Sequence, residues 1–144
     1  MPDSPSNILF VCTGNTCRSA MAEAFVRQQY PGISADSAGA SWYQARRAHE
    51  HARTLFPAGE LETHQTKGIE SVKDVPFDRV WYLHTAQHRS RTLEVFADDL
   101  VDSIGADVED PYDGPLEDYR ECLEEIKRLI IGRLGPPNAP APTG

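Results

Sequence analysis

Short apolar runs and longer amphipathic stretches alternate along the chain. Residues 8–11 and 79–83 are apolar at successive positions, which is typical of strands buried on both faces. Residues 33–37 predict a second short strand that ends in a turn at 38–40, and residues 100–104, flanked by acids, predict a fourth. The pattern therefore gives four strands in chain order.

Between and after these strands, apolar residues recur at every third or fourth position, which predicts helices. The first predicted helix begins after residue 19 and ends before Pro31. The others cover residues 45–56, 69–75, 88–96 and 116–134. Strands that alternate with helices form a parallel, doubly wound α/β sheet with helices on both faces. In such a sheet, ligands bind at the carboxyl edge of the strands.

Length and composition indicate one domain. The chain has 144 residues, of which 40% are hydrophobic and 25% charged, as in an ordinary globular protein. We expect a flexible lead-in at residues 1–6, a folded domain at 7–134 and a disordered proline-rich tail at 135–144.

Charge and cysteine content restrict the possible partners and compartment. A net charge of −8 argues against nucleic acid or an anionic membrane as a partner. The chain has no apolar run near the ~20 residues of a membrane span, and its start lacks the features of a signal peptide. The chain has three cysteines, of which Cys12 and Cys17 lie close together in sequence. This number and spacing argue against a disulfide scaffold and favour a reducing cytoplasm.

The 12–19 loop, Cys-Thr-Gly-Asn-Thr-Cys-Arg-Ser, joins the first strand to the first helix. Unpaired N–H groups and the positive end of the helix dipole make this position suited to an anion. Cys12 in this setting is favoured as a thiolate, and the Arg18 guanidinium offers paired donors to a tetrahedral oxyanion. Gly14 and Asn15 tolerate left-handed backbone, and Ser19 is placed to donate to the Cys12 sulfur. The loop therefore indicates attack by sulfur on a tetrahedral anion.

This string resembles the signature loop of the low-molecular-weight protein tyrosine phosphatases and of their relatives, the thioredoxin-coupled arsenate reductases. The resemblance implies a flavodoxin-like fold with four parallel strands, a Cys12 nucleophile, and no metal or other cofactor. It further implies that phosphate is bound by Arg18 together with Thr13, Gly14, Asn15, Thr16, Cys17 and Ser19. Inorganic phosphate and other oxyanions are then expected to inhibit.

A leaving group requires a proton, and Asp110 is the candidate general acid. Pro111 restricts Asp110 to an extended conformation, and the resembled family has its acid in an Asp-Pro-aromatic segment before the last helix. Tyr112 is then expected to line the pocket wall. Asp113 stands where the family commonly has a second aromatic residue.

The resemblance also implies supporting residues. Ser37 and His64 are expected to hydrogen-bond Asn15, and either Trp42 or Tyr43 is expected at the pocket rim. From residue types alone, we expect the remaining candidates to have structural positions without a catalytic role. We expect Arg46, Arg47 and Arg53 to form a solvated helix face, with contact to acidic residues beside a phosphosite as the alternative. We expect surface or helix-cap positions for His49, His51, His84 and His88. Cys122 is expected in the core.

Three chemistries fit the loop. The first is phosphotyrosine hydrolysis through a phosphocysteine on Cys12. The second is phosphoarginine hydrolysis, since relatives of that specificity carry Thr at the position of Thr16, although Tyr112 and Ala20 depart from the expected residues. The third, arsenate reduction, needs two further cysteines, and outside the loop the chain has Cys122 alone. A binding module without activity is disfavoured because nucleophile, arginine and acid are all present.

The resemblance also predicts redox regulation. In that family the two loop cysteines can join when oxidised, which protects the nucleophile from over-oxidation. Cys12 and Cys17 stand at the corresponding positions. The alternative is that Cys17 packs beneath the loop without a redox role.

Overall fold

One parallel sheet organises the chain in the computed structural model, which describes residues 5–137. Its strands are β1 (Asn7–Cys12), β2 (Ser34–Gly39), β3 (Arg79–Tyr82) and β4 (Val101–Ser103), in the spatial order β2-β1-β3-β4. The helices are α1 (Arg18–Gln29), α2 (Glu50–Thr54), α3 (Thr85–Val95) and α4 (Leu116–Leu134), with 3₁₀ turns at Ile69–Val72 and Asp98–Leu100. The predicted four-stranded, doubly wound α/β fold is confirmed.

The two faces of the central strand β1 have separate cores. Ile8 and Phe10 point into a cluster that includes buried residues of α1 and α4. Leu9 and Val11 point the other way, into a cluster with Ile69 and other residues from β3 and the segments around it. Both parities of β1 are fully buried, which explains why its sequence shows no polar alternation.

The prediction of a helix at 45–56 is wrong over its first half. The helix begins only at Glu50, because Arg46 and Arg47 lie against a neighbouring segment instead. Arg47 forms an isolated antiparallel bridge with Gln65, and the Thr66 N–H donates to the Arg46 carbonyl at 2.9 Å. This pairing satisfies the backbone groups that a helix would otherwise use.

Smaller differences concern boundaries. β2 continues through the predicted turn to Gly39, which pairs with Cys12. Helix α3 begins at Thr85, three residues before the predicted start, and the predicted helix at 69–75 is a 3₁₀ turn over Ile69–Val72.

The predictions for the termini fall largely outside the described residues. These exclude residues 1–4 of the predicted lead-in and residues 138–144 of the predicted tail. Between residues 5 and 137, no helix is long and apolar enough to cross a membrane.

Candidate active site

The 12–19 loop lies at the carboxyl edge of the sheet, between the end of β1 and the start of α1. It is packed closely from below, because Cys12, Asn15, Arg18 and Ser19 are each at most 2% exposed. Chain segments after β2 hold its backbone: the N–H of Ala40 donates to the Cys12 carbonyl at 2.7 Å. The loop therefore presents a fixed set of groups to the space above it.

Asn15 sets the curvature of the loop. Its φ of 64° is left-handed, as its residue type predicted. Its side chain donates to Ser19 Oγ at 2.8 Å and accepts from the Lys67 N–H at 3.1 Å. The His64 Nε2–H donates to the Asn15 carbonyl at 2.9 Å, so His64 contacts Asn15 as expected.

One of the two expected loop-support contacts is absent, and of the two residues that tolerate left-handed backbone only Asn15 adopts it. The Ser37 hydroxyl donates to Glu23 Oε1 at 2.6 Å and does not contact Asn15, because Ser37 points from β2 towards α1. Gly14 does not adopt a left-handed φ. A Cβ at Gly14 would have Thr16 Oγ1, 4.0 Å away, as its nearest neighbour, so the missing side chain leaves open space at the pocket floor.

Ser19 lies next to the candidate nucleophile. Its Oγ is 2.9 Å from Cys12 Sγ, and both atoms are buried. Because Ser19 Oγ already accepts from Asn15, its own proton is available to a Cys12 thiolate. This arrangement stabilises negative charge on the sulfur before attack and when sulfur leaves.

Arg18 is a buried cation whose Nε–H is left without a partner among the described residues. Its Nη1 donates to the Val108 carbonyl at 2.8 Å, and its Nη2 donates to Gln87 Oε1 at 2.9 Å and to Thr13 Oγ1 at 3.1 Å. Among the described residues, its Nε has no hydrogen-bond partner although it is buried. An unpaired buried N–H is costly, so the Arg18 Nε–H is a donor available to an acceptor that the described residues do not supply.

Asp110 reaches the loop from the segment between β4 and α4. Its Oδ2 lies 3.6 Å from Arg18 Nη2, and its Oδ1 accepts from the Tyr112 N–H at 3.1 Å. The Cys17 thiol donates to the same Oδ1 at a sulfur–oxygen distance of 3.5 Å. Burial, followed by the negative charges of Cys12 and Asp110, raises the pKa of Cys17, so this thiol keeps its proton.

A cavity of about 220 Å³ opens above the loop. Its lining comprises Thr13, Gly14, Thr16, Ser41, Tyr43, Gln44, Arg46, Asp110 and Tyr112. Of the two rim candidates, Tyr43 lines the cavity and Trp42 does not. Trp42 packs on Gly68 and donates from Nε1 to Thr66 Oγ1 at 3.3 Å, so Tyr43 is the one of the two at the cavity.

The three arginines expected on one solvated helix face occupy different places. Arg47 and Arg53 lie 2.9 and 4.0 Å from Glu62 Oε1. Arg46 precedes the helix and is exposed at the cavity mouth. It is therefore the arginine of this group that can meet a ligand in the cavity.

His88 is the site residue that the sequence analysis misassigned. The expectation was a surface or helix-cap position, but His88 is fully buried beneath the loop, with Nε2 3.0 Å from Thr13 Oγ1. The signal was its helical spacing with Thr92 and Phe96, which are also buried. His49, in contrast, caps α2 as expected: its Nδ1 accepts from the His51 N–H at 3.0 Å.

The site contains titratable groups suited to nucleophilic and acid–base chemistry. Within residues 5–137, no three His, Cys, Asp or Glu side chains are grouped as metal ligands would be.

Comparison with known proteins gives relatives over nearly the whole chain. The family model described as low molecular weight phosphotyrosine protein phosphatase matches residues 7–134. A protein-arginine-phosphatase of Geobacillus stearothermophilus is 34% identical, with 88% of this chain and 92% of that protein covered. A probable low molecular weight protein-tyrosine-phosphatase, EpsP, of Ralstonia nicotianae is 31% identical, with coverages of 85% and 90%.

The solved structures agree with this. The YwlE arginine phosphatase from Geobacillus stearothermophilus superposes with a TM-score of 0.78 at 33% identity, and 91% of each chain is covered. The fold and the matched family therefore lead to the same class of protein.

Proposed function

The chain belongs to the low molecular weight phosphotyrosine protein phosphatase family, and we propose that it removes phosphate from protein side chains with Cys12 as nucleophile, Arg18 as phosphate ligand and Asp110 as general acid. The observation that carries this assignment is the Arg18 guanidinium. It is buried and held by its two Nη groups, and its Nε–H is unpaired among the described residues. Asp110, which lines the cavity above the loop, lies 3.6 Å from Arg18 Nη2. A phosphate oxygen supplies the missing acceptor.

The reaction proceeds in two displacements. The Cys12 thiolate attacks phosphorus, the bond from phosphorus to the leaving atom breaks, and Asp110 donates its proton to that atom. Water then attacks the phosphocysteine and gives a proton to Asp110, which releases inorganic phosphate and the thiolate. Arg18 and the backbone N–H groups of the 12–19 loop stabilise the charge on the equatorial oxygens throughout.

Phosphotyrosine is the first candidate substrate. Tyr43 and Tyr112 both line the cavity and are 83% and 53% exposed, so their rings are available to a phenyl ring above the phosphate. Aromatic pairs of this kind contribute about 0.5–1.5 kcal/mol beyond the area they bury.

Phosphoarginine is a second candidate, because Thr16 lines the same cavity. Its hydroxyl is small and polar, and leaves room for a planar guanidinium that carries several N–H donors. The arginine phosphatase of Geobacillus stearothermophilus is also among the most similar relatives. Arsenate reduction is not supported, because it needs two further cysteines and Cys122, which is buried, is the single one outside the loop.

The test compares kcat/KM on a phosphotyrosine peptide and a phosphoarginine peptide with the same flanking sequence, without added metal. The variants are Cys12→Ser and Thr16→Ile. Turnover by the parent that Cys12→Ser loses supports the proposed chemistry. Equal turnover by the parent and by Cys12→Ser contradicts it. A preference for phosphoarginine that Thr16→Ile abolishes makes Thr16 the specificity filter, whereas a preference for phosphotyrosine refutes the second candidate.

A Cys12–Cys17 disulfide is a regulatory proposal that follows from the same family. Both thiols are buried and free, and they belong to one tight loop. We expect activity lost to peroxide to return with dithiothreitol in the parent, but not in Cys17→Ser. Equal recovery in both proteins would leave Cys17 only as the hydrogen-bond donor to Asp110. Because a free thiolate is needed for each turnover, a reducing cytoplasm is the compartment we propose.

A further inference from the structure

Helix α3 supplies hydrogen-bond acceptors to the guanidinium of Arg18. One Arg18 Nη2 hydrogen is used at Gln87 Oε1, at 2.9 Å, and another at Thr13 Oγ1, at 3.1 Å. Gln87 belongs to the first turn of α3, and His88 follows it. The beginning of α3 therefore lies directly behind the phosphate ligand.

The direction of the bond between Thr13 and His88 follows from counting protons. Arg18 has only donors, so Thr13 Oγ1 accepts from it, and the single Thr13 hydroxyl proton remains for another partner. His88 Nε2 lies 3.0 Å away and accepts that proton when the ring carries its own proton on Nδ1, which is buried without a partner among the described residues. A hydrogen-bond chain thus runs from Arg18 Nη2 through Thr13 Oγ1 to His88 Nε2.

This chain requires a neutral imidazole. His88 Nε2 also lies 3.5 Å from Arg18 Nη2. An Nε2–H would direct a second donor at Thr13, and a doubly protonated ring would in addition place a second positive charge beside the guanidinium. Burial and the charge of Arg18 both lower the pKa of His88, to about 3. The geometry and the electrostatics therefore agree on the acceptor role of Nε2.

We propose that Thr13 and His88 are positioning residues for catalysis, which hold the Arg18 guanidinium in the orientation that leaves its Nε–H free for phosphate. This inference rests on the proposed function, in which Arg18 binds the transferred phosphoryl group. Small errors in such a position are costly, since a misplacement of about 1 Å reduces rates by about 10²-fold.

The test measures kcat/KM, the melting temperature and the calorimetric Kd of inorganic phosphate for Thr13→Val, His88→Leu and the double variant. Each single variant is expected to lower kcat/KM about tenfold, equivalent to ~1.4 kcal/mol, and to weaken phosphate binding. The double variant is expected to be little worse than the more damaging single variant, because both changes break one chain.

Conservative variants distinguish positioning from packing. Thr13→Ser keeps the hydroxyl, and His88→Gln offers an amide oxygen near the place of Nε2, so both are expected to recover most of the loss. Thr92→Val is the matched control. It removes a buried threonine hydroxyl that donates to the His88 carbonyl at 2.7 Å on the same helix, with no contact to Arg18. It is expected to lower the melting temperature without changing phosphate affinity.

Three results would overturn the proposal. They are an unchanged kcat/KM and phosphate Kd in Thr13→Val, multiplicative losses in the double variant, and equal losses in Thr13→Val and Thr13→Ser. The last comparison decides the matter even if His88→Leu does not fold. The phosphate Kd can be measured without turnover. A wrong hydrogen-bond chain would leave this Kd unchanged in the variants, whereas a wrong phosphatase assignment would leave the parent without turnover.

Discussion

Gly39 is the position where one added methyl group tests whether the shape of the 12–19 loop determines activity. It is the last residue of β2 and pairs with Cys12 in the sheet. A Cβ there would lie 2.7 Å from the Thr13 carbonyl oxygen, 3.1 Å from Gly14 C and 3.3 Å from Asn15 N. All three contacts are backbone atoms of the loop, so no side-chain rotation relieves them.

The magnitude follows from that geometry. Ordinary contact begins near 3.4 Å, so the loop and β2 must separate by about 0.7 Å. Both sides are fixed, since the Gly39 N–H donates to Lys67 O at 2.8 Å and the Ser41 N–H donates to Thr13 O at 2.9 Å. Overpacking of this kind costs about 1–3 kcal/mol, or about 3–12 °C in melting temperature. A loop displaced by this distance is expected to lose about 10–100-fold in kcat/KM.

The assay compares Gly39→Ala with Gly32→Ala in thermal unfolding and in turnover of the better peptide substrate. Gly32 is the matched control, because a Cβ there would meet no atom within 4 Å and its φ lies outside the left-handed range. Gly32→Ala is expected to behave as the parent does. Parental activity in Gly39→Ala would refute the reasoning, because it would mean that the loop tolerates this displacement.

Three further outcomes are expected from single positions. Asn15→Gly should be more stable than Asn15→Ala by about 1 kcal/mol in denaturant unfolding, because only the alanine strains the left-handed backbone, and both should be poorly active; equal stabilities would contradict this. Stability should fall as pH drops from about 6.5 towards about 3, because folding depresses the pKa of His88: burial, Arg18 and His84 lower this pKa, and Asp107 raises it. The free energy of unfolding should then change by at most ~1.4 kcal/mol per pH unit. Urea unfolding at several pH values should show a shallower dependence on pH in His88→Gln. Arg46→Ala should lower kcat/KM more for a peptide with Asp beside the phosphorylated residue than for one with Ala there, whereas equal losses would remove Arg46 from substrate recognition.

The centre of the site was predictable because its information is local. The 12–19 loop has its strand, turn and helix signals within a few residues, and Asn15 adopts the left-handed backbone that its type favours. The candidate acid Asp110 was predicted from its adjacent proline and from a family resemblance. Strands β1 and β3 followed from continuous apolar runs, which are typical of a buried parallel sheet and can be found without any knowledge of its order.

The remaining parts depend on contacts between distant segments. The acceptors that hold Arg18 at Gln87 and Val108 lie 69 and 90 residues away in sequence, and no local pattern predicts them. Residues 45–49 have a helical apolar spacing, but pairing with the 65–66 segment overrides it. His88 shows the same limit, because helical spacing identifies its face but only the assembled sheet determines that this face lies beneath the loop.

The central claim is that the phosphoryl group passes through Cys12. The most direct measurement is mass spectrometry of the full chain, stopped with denaturant within the first turnovers of the preferred phosphopeptide, in the parent, Cys12→Ser and Cys17→Ser. The account predicts a phosphoryl group at position 12 in the parent and in Cys17→Ser, and no sustained turnover in Cys12→Ser, whether or not its serine traps the group. A phosphoryl group at a position other than 12, or turnover that persists in Cys12→Ser, would contradict it.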